Sequence, residues 1–232
     1  MVEKTQFNLK TTWLISALVI VLMVGLSAWA WVQLPADASL PVHWNAAGEA
    51  DRYGGKAEAL LLLPAVTIGV LLLFTLIRYI DPLRANIERS GQAYRAVLLG
   101  TLFFMAVLHT GAVLSALGYP INVGRLAAPA VGLMFVIMGN YMGKIRRNYM
   151  FGVRTPWTLA SELSWNKTHR ITGKLFVLSG LLTIGATFLG STVAFFTMMA
   201  TILGTVIFAM VYSYLVWKRD PTMQPTGETK AV

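Results

Sequence analysis

The sequence predicts an all-α integral membrane protein with six transmembrane helices and both termini in the cytoplasm. Of its 232 residues, 56% are hydrophobic and only 12% are charged, whereas soluble domains average about 25% charged residues. Uncharged apolar stretches recur along the chain, and each is long enough to cross a hydrocarbon core ~30 Å thick. Lysine and arginine concentrate on alternate loops, which orients those loops toward the cytoplasm.

The first apolar stretch runs from Trp13 to Leu34 and has tryptophans near both ends, as expected for a span. Lys4 and Lys10 precede it on the predicted inner side. The alternative is a cleaved signal peptide, because residues 28–30 fit a small-x-small cleavage site. The stretch exceeds the ~7–15 apolar residues of a signal peptide, so a retained span is favoured.

Four further segments complete the six predicted spans. The second, third and fourth are expected at about 59–79, 96–117 and 126–143. The uncharged stretch 175–217 would be about 65 Å long as a helix, which is enough for two crossings. Its turn is expected near residues 190–192. Of the nineteen lysines and arginines, only Arg52, Lys56 and Arg125 then lie outside.

This pattern divides the chain into three parts. Residues 1–80 form an N-terminal two-span unit with an outer loop at 35–57. Residues 81–217 form a four-span unit that includes a basic cytoplasmic segment, 139–176, which we call the platform. Residues 218–232 are expected to be a mobile tail, because they are polar and contain proline.

The composition also limits the possible partners and cofactors. The net charge of +9 would suit nucleic-acid binding, but its distribution follows membrane orientation, so no nucleic-acid partner is expected. The chain has no cysteine, which excludes disulfides and thiolate chemistry. We expect membrane lipids as partners and no cofactor.

The outer loop contains PVHWN followed by GEADRYGGK. His43, Asn45 and Asp51, with Glu49, are candidates for binding a polar ligand or a partner. One histidine among scattered acids is a weak signal for metal, because structural zinc needs several such ligands. Alternatively, the loop is simply compact, with His43 and Asn45 capping turns and Arg52 paired with a carboxylate.

The platform has local signals of its own. Pro156 breaks helix and favours an extended Thr155. Ser161, followed by Glu162, predicts a helix start. Trp165, Thr168, His169, Thr172 and Phe176 then share one helical face. The sequence therefore predicts an interfacial helix along the inner membrane surface that turns into the fifth span.

Two interpretations of the platform remain open. In the first, Asn148, Arg154 and His169 converge on an anionic or peptide-like group, with Trp157 and Trp165 as amphipathic walls. In the second, the segment is an interfacial helix anchored by tryptophans within a positively charged loop.

Two features inside the spans are also open to alternatives. His109 lies midway along the third span, where an ionisable residue suggests function, although a neutral imidazole can also bridge helices. Gly132, Gly139 and Gly143 lie on nearly one face, which permits close helix packing. Packing within the chain is favoured over dimerisation, and the oligomeric state is left open.

The platform and the outer loop resemble sequences of a known family. The run GNYMGKIRRNYMFGVRTPWTLASELSWNKTHRITGKLF is similar to the signature of the SdpI family of bacterial membrane proteins, and PVHWNAAGEADRYGGK resembles the small uncharacterised domain that often precedes it. The positions that match the signature are Asn140, Asn148, Gly152, Arg154, Thr155, Pro156, Trp157, Trp165, Thr168 and His169.

The resemblance implies a non-enzymatic protein of the bacterial cytoplasmic membrane that protects the cell from a membrane-active peptide toxin. It also implies a peptide partner outside and, as in the founding example, a soluble transcriptional regulator inside. The alternative is a membrane-embedded enzyme or transporter for a lipid or small solute. The spans offer no acid–base pair, nucleophile–base motif or repeat that would favour this alternative.

Overall fold

The computed structural model describes residues 9–223 and contains six helices long and apolar enough to cross a membrane, as predicted. They are α1 (Lys10–Gln33), α2 (Lys56–Ile80), α4 (Gly91–Ala116), α5 (Val123–Met142), α7 (Glu162–Ala186) and α8 (Ser191–Lys218). Between them lie two short helices, α3 (Arg84–Arg89) and α6 (Pro156–Ala160), and two strands, β1 (Leu40–Trp44) and β2 (Ala50–Gly54). The chain termini, Lys4 and residues 224–232 of the predicted tail lie outside the described residues.

The predicted helix start at Ser161 and the predicted turn after the fifth span are confirmed. The Ser161 side chain accepts a hydrogen bond from the backbone N–H of Ser164, so it caps α7. A 3₁₀ turn, Thr187–Leu189, extends α7. Gly190 then adopts a φ of 117°, which favours glycine, and α8 begins at the next residue.

An interfacial helix before the fifth span is not confirmed. Helix α7 runs from Glu162 to Ala186 without interruption, and no proline lies within it to redirect the axis. Within residues 9–223, the helix that precedes it, α6, has only five residues. The first turns of α7 are therefore continuous with the span itself.

Helices α5 and α7 approach each other closely at two pairs of glycines. A Cβ on Gly139 would lie 2.5 Å from the carbonyl oxygen of Gly173, and one on Gly173 would lie 2.6 Å from that of Gly139. Gly132 and Gly180 make the corresponding contact, so the two helices are antiparallel. Glycines let helix backbones touch in membranes. The prediction that this motif packs within the chain is confirmed for Gly132 and Gly139.

His109 is buried and joins α4 to α1. Its Nε2 atom lies 3.0 Å from the Ser27 hydroxyl and 3.2 Å from the carbonyl oxygen of Met23. The Ser27 hydroxyl in turn donates to the carbonyl oxygen of Leu60 on α2. These contacts favour the interpretation of His109 as a bridge between helices.

The outer loop folds into an antiparallel hairpin, which the sequence analysis described only as a loop with turns. At its tip, the Asn45 side-chain oxygen accepts hydrogen bonds from the backbone N–H groups of Ala47 and Glu49. Gly48 completes the turn with a φ of 82°. A Cβ on Gly124 would approach the Gly48 backbone far inside 3.0 Å. The hairpin tip is therefore seated on the N-terminal end of α5.

Candidate functional site

Side chains from the α2–α4 connection hold the start of the platform. The Asp81 carboxylate accepts a hydrogen bond from the backbone N–H of Tyr149 at 2.8 Å. Asn86 donates to the carbonyl oxygen of Arg147, and the Ser90 hydroxyl accepts from the N–H of Arg146, both at 2.8 Å. Polar backbone groups at the membrane surface are thus satisfied within the protein.

Asp81, Asn86 and Ser90 were not among the residues predicted from the sequence. The available signal was a carboxylate directly after an apolar helix, followed by two short polar side chains in the same connection. Nothing in that pattern identifies a binding partner more than fifty residues later in the chain.

Asn148 is buried and organises the turn that follows. Its side-chain oxygen accepts from the backbone N–H groups of Met150 and Phe151, each at 2.8 Å. Its amide nitrogen donates to the carbonyl oxygen of Arg146 at 2.9 Å. These bonds direct Asn148 to its own loop.

His169 connects α7 to the same loop through both ring nitrogens. Nδ1 lies 2.9 Å from the carbonyl oxygen of Trp165, so Nδ1 carries the proton. Nε2 accepts a hydrogen bond from the backbone N–H of Val153 at 2.9 Å. The two partners together select the neutral imidazole with its proton on Nδ1.

Trp165 completes this buried arrangement. Its ring stacks on His169 with centroids 4.1 Å apart and an interplanar angle of 22°. Its Nε1–H donates to the carbonyl oxygen of Ile145 at 2.7 Å. Trp165 and His169 are therefore packed inside the platform and do not form the wall of an open cleft.

Gly152 lies against the His169 ring. Its φ is 109°, a conformation that L side chains rarely adopt. A Cβ at this position would also lie inside 3.0 Å of His169 Nε2. Both the backbone conformation and the imidazole therefore require glycine here.

The remaining residues predicted for the platform differ in their exposure. Arg154 is exposed and donates from Nη1 to the carbonyl oxygen of Tyr149. Thr155 is buried; it caps α6 and lies 3.0 Å from the Ser213 hydroxyl on α8. Trp157 packs edge-on against Tyr214. Asn140 lies on the exposed side of α5.

The end of α8 is tied to the start of α7. The Ser161 hydroxyl donates to the buried carboxylate of Asp220, and Thr222 donates to it from its N–H and its hydroxyl. These hydrogen bonds hold the pKa of Asp220 below its ordinary value, because they stabilise the charged carboxylate. The bond from Ser161 has the largest effect, and those from Thr222 come next. Ser164 also donates to the carbonyl oxygen of Ser213 at 2.8 Å.

Two further hydroxyls lie in this contact. Thr168 and Thr172 are buried, and their oxygens have no hydrogen-bond partner within residues 9–223. Both lie on the α7 face that carries Ser164, because they follow it at intervals of four residues.

The outer hairpin brings two of its candidate residues together. His43 Nδ1 lies 2.6 Å from the Asp51 carboxylate, and both side chains are exposed. Asn45 is a turn residue whose side chain folds back on the hairpin tip. The predicted pairing of Arg52 with a carboxylate is confirmed, since it bonds Glu58 at 2.7 Å. Residues 9–223 contain no group of three metal-ligating side chains.

The platform thus brings together most of the residues that the sequence analysis proposed. Asn148, Trp165 and His169 use their polar atoms on the protein's own backbone. Arg154 and Asn140 remain exposed, so they are the predicted platform residues that another molecule can reach. In the hairpin, His43 and Asp51 are also exposed.

The platform and the hairpin both lie in segments that are similar to known protein families. The SdpI/YfhL protein family matches residues 144–213, which include most of the platform and much of the last two spans. A domain of unknown function, DUF1648, matches residues 18–68, which include the outer hairpin. Over 210 residues the chain is 26% identical to the "Immunity protein SdpI" of Bacillus subtilis (strain 168), covering 89% of this chain and 96% of that protein.

No solved structure matches the chain significantly. The predicted resemblance is nevertheless confirmed in both halves of the chain, because residues 144–176 of the platform motif and the whole hairpin motif fall within family matches. The chain therefore carries a match to the SdpI/YfhL protein family over residues 144–213 and a match to DUF1648 over residues 18–68.

Proposed function

We propose that this protein is an immunity protein of the bacterial cytoplasmic membrane that protects against a membrane-active peptide. The outer hairpin receives the peptide, and the inner platform contacts a soluble regulator. The observation that carries the proposal is the similarity to an immunity protein over nearly the whole of both chains. The shared length includes the hairpin, the spans and the platform.

A series of contacts through α5 and α7 connects the hairpin to the platform, and this connection supports a role in transmitting a signal. The hairpin tip touches the α5 backbone at Gly124. Helix α5 touches the α7 backbone at Gly173 and Gly180. Helix α7 then bonds the platform loop through His169. Backbones in direct contact cannot adjust as side chains do. A movement of the hairpin would therefore shift α5 and α7 as whole helices and reach the platform.

The alternative of an enzyme or transporter receives less support. Two cavities of about 220 and 340 Å³ lie in the groove between α4 and α5. Their walls are apolar side chains and glycines, with Thr110 as the polar member. Such a groove offers no titratable group for proton transfer.

The proposed orientation gives the first testable prediction. Single cysteines replacing Ala47 at the hairpin tip and Glu162 at the start of α7 should react with an impermeant thiol reagent from opposite sides. Both positions are exposed. In intact cells only the first should be labelled, and in inverted vesicles only the second. Labelling of both from one side would refute the orientation.

The proposed function is tested by survival. Cells that express this protein should resist the sporulation-delaying peptide toxin for which the family is named. Arg154→Lys should lose resistance at normal membrane abundance, because lysine keeps the charge but cannot reproduce the planar fork of donors. Arg146→Lys is the matched control, since Arg146 is equally exposed on the same loop.

The outer side is tested in the same assay. His43→Ala should reduce resistance without lowering abundance, because the side chain is exposed and its loss opens no cavity. Sensitivity of cells expressing the unaltered protein would contradict protection against this peptide. Full resistance in both Arg154→Lys and His43→Ala would contradict the assigned sites.

A further inference from the structure

One face of α7 changes from basic to apolar along its length. Lys167, Arg170 and Lys174 follow one another at intervals of three and four residues, so they lie on the same face, and all three are exposed. Leu178 and Leu181 continue that face and are 52% and 55% exposed. We call Lys167, Arg170 and Lys174 the basic stripe.

The basic stripe lies away from the packed faces of α7. Gly173 and Gly180 contact α5, and Ser164 bonds α8. His169 bonds the platform loop. The stripe occupies the side that remains, and the leucines that extend it are exposed because they face the lipid.

The change from cations to leucines marks where this face enters the hydrocarbon. Lys167 and Lys174 are separated by about 10 Å of helix. Basic side chains at such a boundary lie at the level of the lipid headgroups, with their stems along the apolar surface. The stripe is therefore next to phosphates of the inner leaflet in the proposed orientation.

The cations of the stripe form no ion pair with a carboxylate of residues 9–223. Within residues 9–223, the two ion pairs, His43–Asp51 and Arg52–Glu58, both belong to the outer hairpin and the start of α2. The carboxylate of Asp220 is buried against Ser161. The positive charge of the stripe is thus available to an external anion.

A fourth cation adjoins the stripe. A Cβ on Gly143 would be 3.7 Å from the Cα of Arg170, so the end of α5 lies against the middle of the stripe. Lys144 follows directly; its ammonium donates to the Gln92 side chain and lies 4.7 Å from the centroid of the Tyr141 ring.

We propose that the basic stripe binds the phosphodiester groups of anionic phospholipids in the inner leaflet. Its cations pair with the headgroups, and the leucines beyond it contact the acyl chains of the same lipids. This inference rests on the orientation in the proposed function but not on immunity. It can therefore fail or succeed without any toxin.

The test uses the purified full-length protein in a neutral detergent. Its melting temperature is measured while dioleoyl phosphatidylglycerol, dioleoyl phosphatidylcholine or inorganic phosphate is added. We expect phosphatidylglycerol to raise it at lower concentration than either of the others. The triple variant Lys167→Gln/Arg170→Gln/Lys174→Gln should need at least about tenfold more phosphatidylglycerol for the same rise.

A matched triple variant removes the same charge elsewhere on the predicted inner side, by Arg84→Gln/Arg89→Gln/Arg219→Gln. It should keep the wild-type response. An equal loss in both triples would overturn the proposal in favour of net charge alone, and an equal rise with inorganic phosphate would overturn it in favour of a soluble anion. The variant Lys167→Arg/Arg170→Lys/Lys174→Arg keeps the charge and should keep the response; its failure would implicate packing and overturn the proposal.

Discussion

Gly152→Ala is expected to destabilise the platform by about 2–4 kcal/mol. The φ of 109° at this position strains any residue with a Cβ, which costs about 1–3 kcal/mol. The new methyl group would also press on His169 Nε2 and break the hydrogen bond from Val153, which contributes about 1 kcal/mol. Thermal unfolding of the detergent-solubilised protein measures the effect.

A double-mutant cycle separates these two causes. In a His169→Ala background the methyl group has no imidazole to meet, so Gly152→Ala should cost only the backbone strain. Gly204→Ala is the control, because a Cβ there has no neighbour within 4 Å. An unchanged melting temperature in Gly152→Ala would contradict the account of the His169 contact.

Gly139→Ala and Gly180→Ala are expected to separate α5 from α7. Each added Cβ would meet a carbonyl oxygen of the facing helix, and a backbone cannot move as a side chain can. The helices must move apart along their whole contact, which also withdraws dispersion contacts between them. Each variant should lose several degrees of melting temperature, and the double variant should fail to accumulate.

The chain provides two controls for this experiment. Gly143→Ala places a methyl group only 3.7 Å from the Cα of Arg170, which is an ordinary contact, and Gly185→Ala places one in open space. Both should retain wild-type stability. A loss in Gly143→Ala as large as that in Gly139→Ala would mean that helix flexibility, not close approach, explains the glycines.

The spans were predictable because hydropathy is a local property. The final uncharged stretch 175–217 was too long for one crossing, and the structure turns at Gly190 as expected. The helix cap at Ser161 was also predictable from the sequence, because the backbone N–H that it accepts from belongs to Ser164, only three residues away. Family resemblance then located the platform within the chain.

The start of the fifth span was harder to predict, because averaging hydropathy mixes all faces of a helix. Lys167, Arg170 and Lys174 share one exposed face, while His169 and Trp165 are buried on another. Together they resemble a helix lying on the membrane surface. Only tertiary packing shows that the buried face belongs to the bundle.

The contacts that stabilise the site were not predictable from one sequence. Asp81 bonds the backbone of Tyr149, and Asp220 bonds the side chain of Ser161. Each pair is far apart along the chain, and neither carries a motif. The glycines facing Gly132 and Gly139 had the same difficulty, because the spacing of one helix does not identify its partner.

The seat of the hairpin tip has a consequence for synthesis in the cell. Gly48 rests against Gly124, and a Cβ on Gly48 would lie 3.2 Å from the hydroxyl of Ser191. The ribosome makes Ser191 roughly 140 residues after the hairpin, a delay of roughly 7 to 30 seconds at ~5–20 residues per second. A two-stranded hairpin alone is marginally stable in water. Before the last helix is inserted, the newly made hairpin therefore lacks part of its seat and is open to capture by proteases or chaperones.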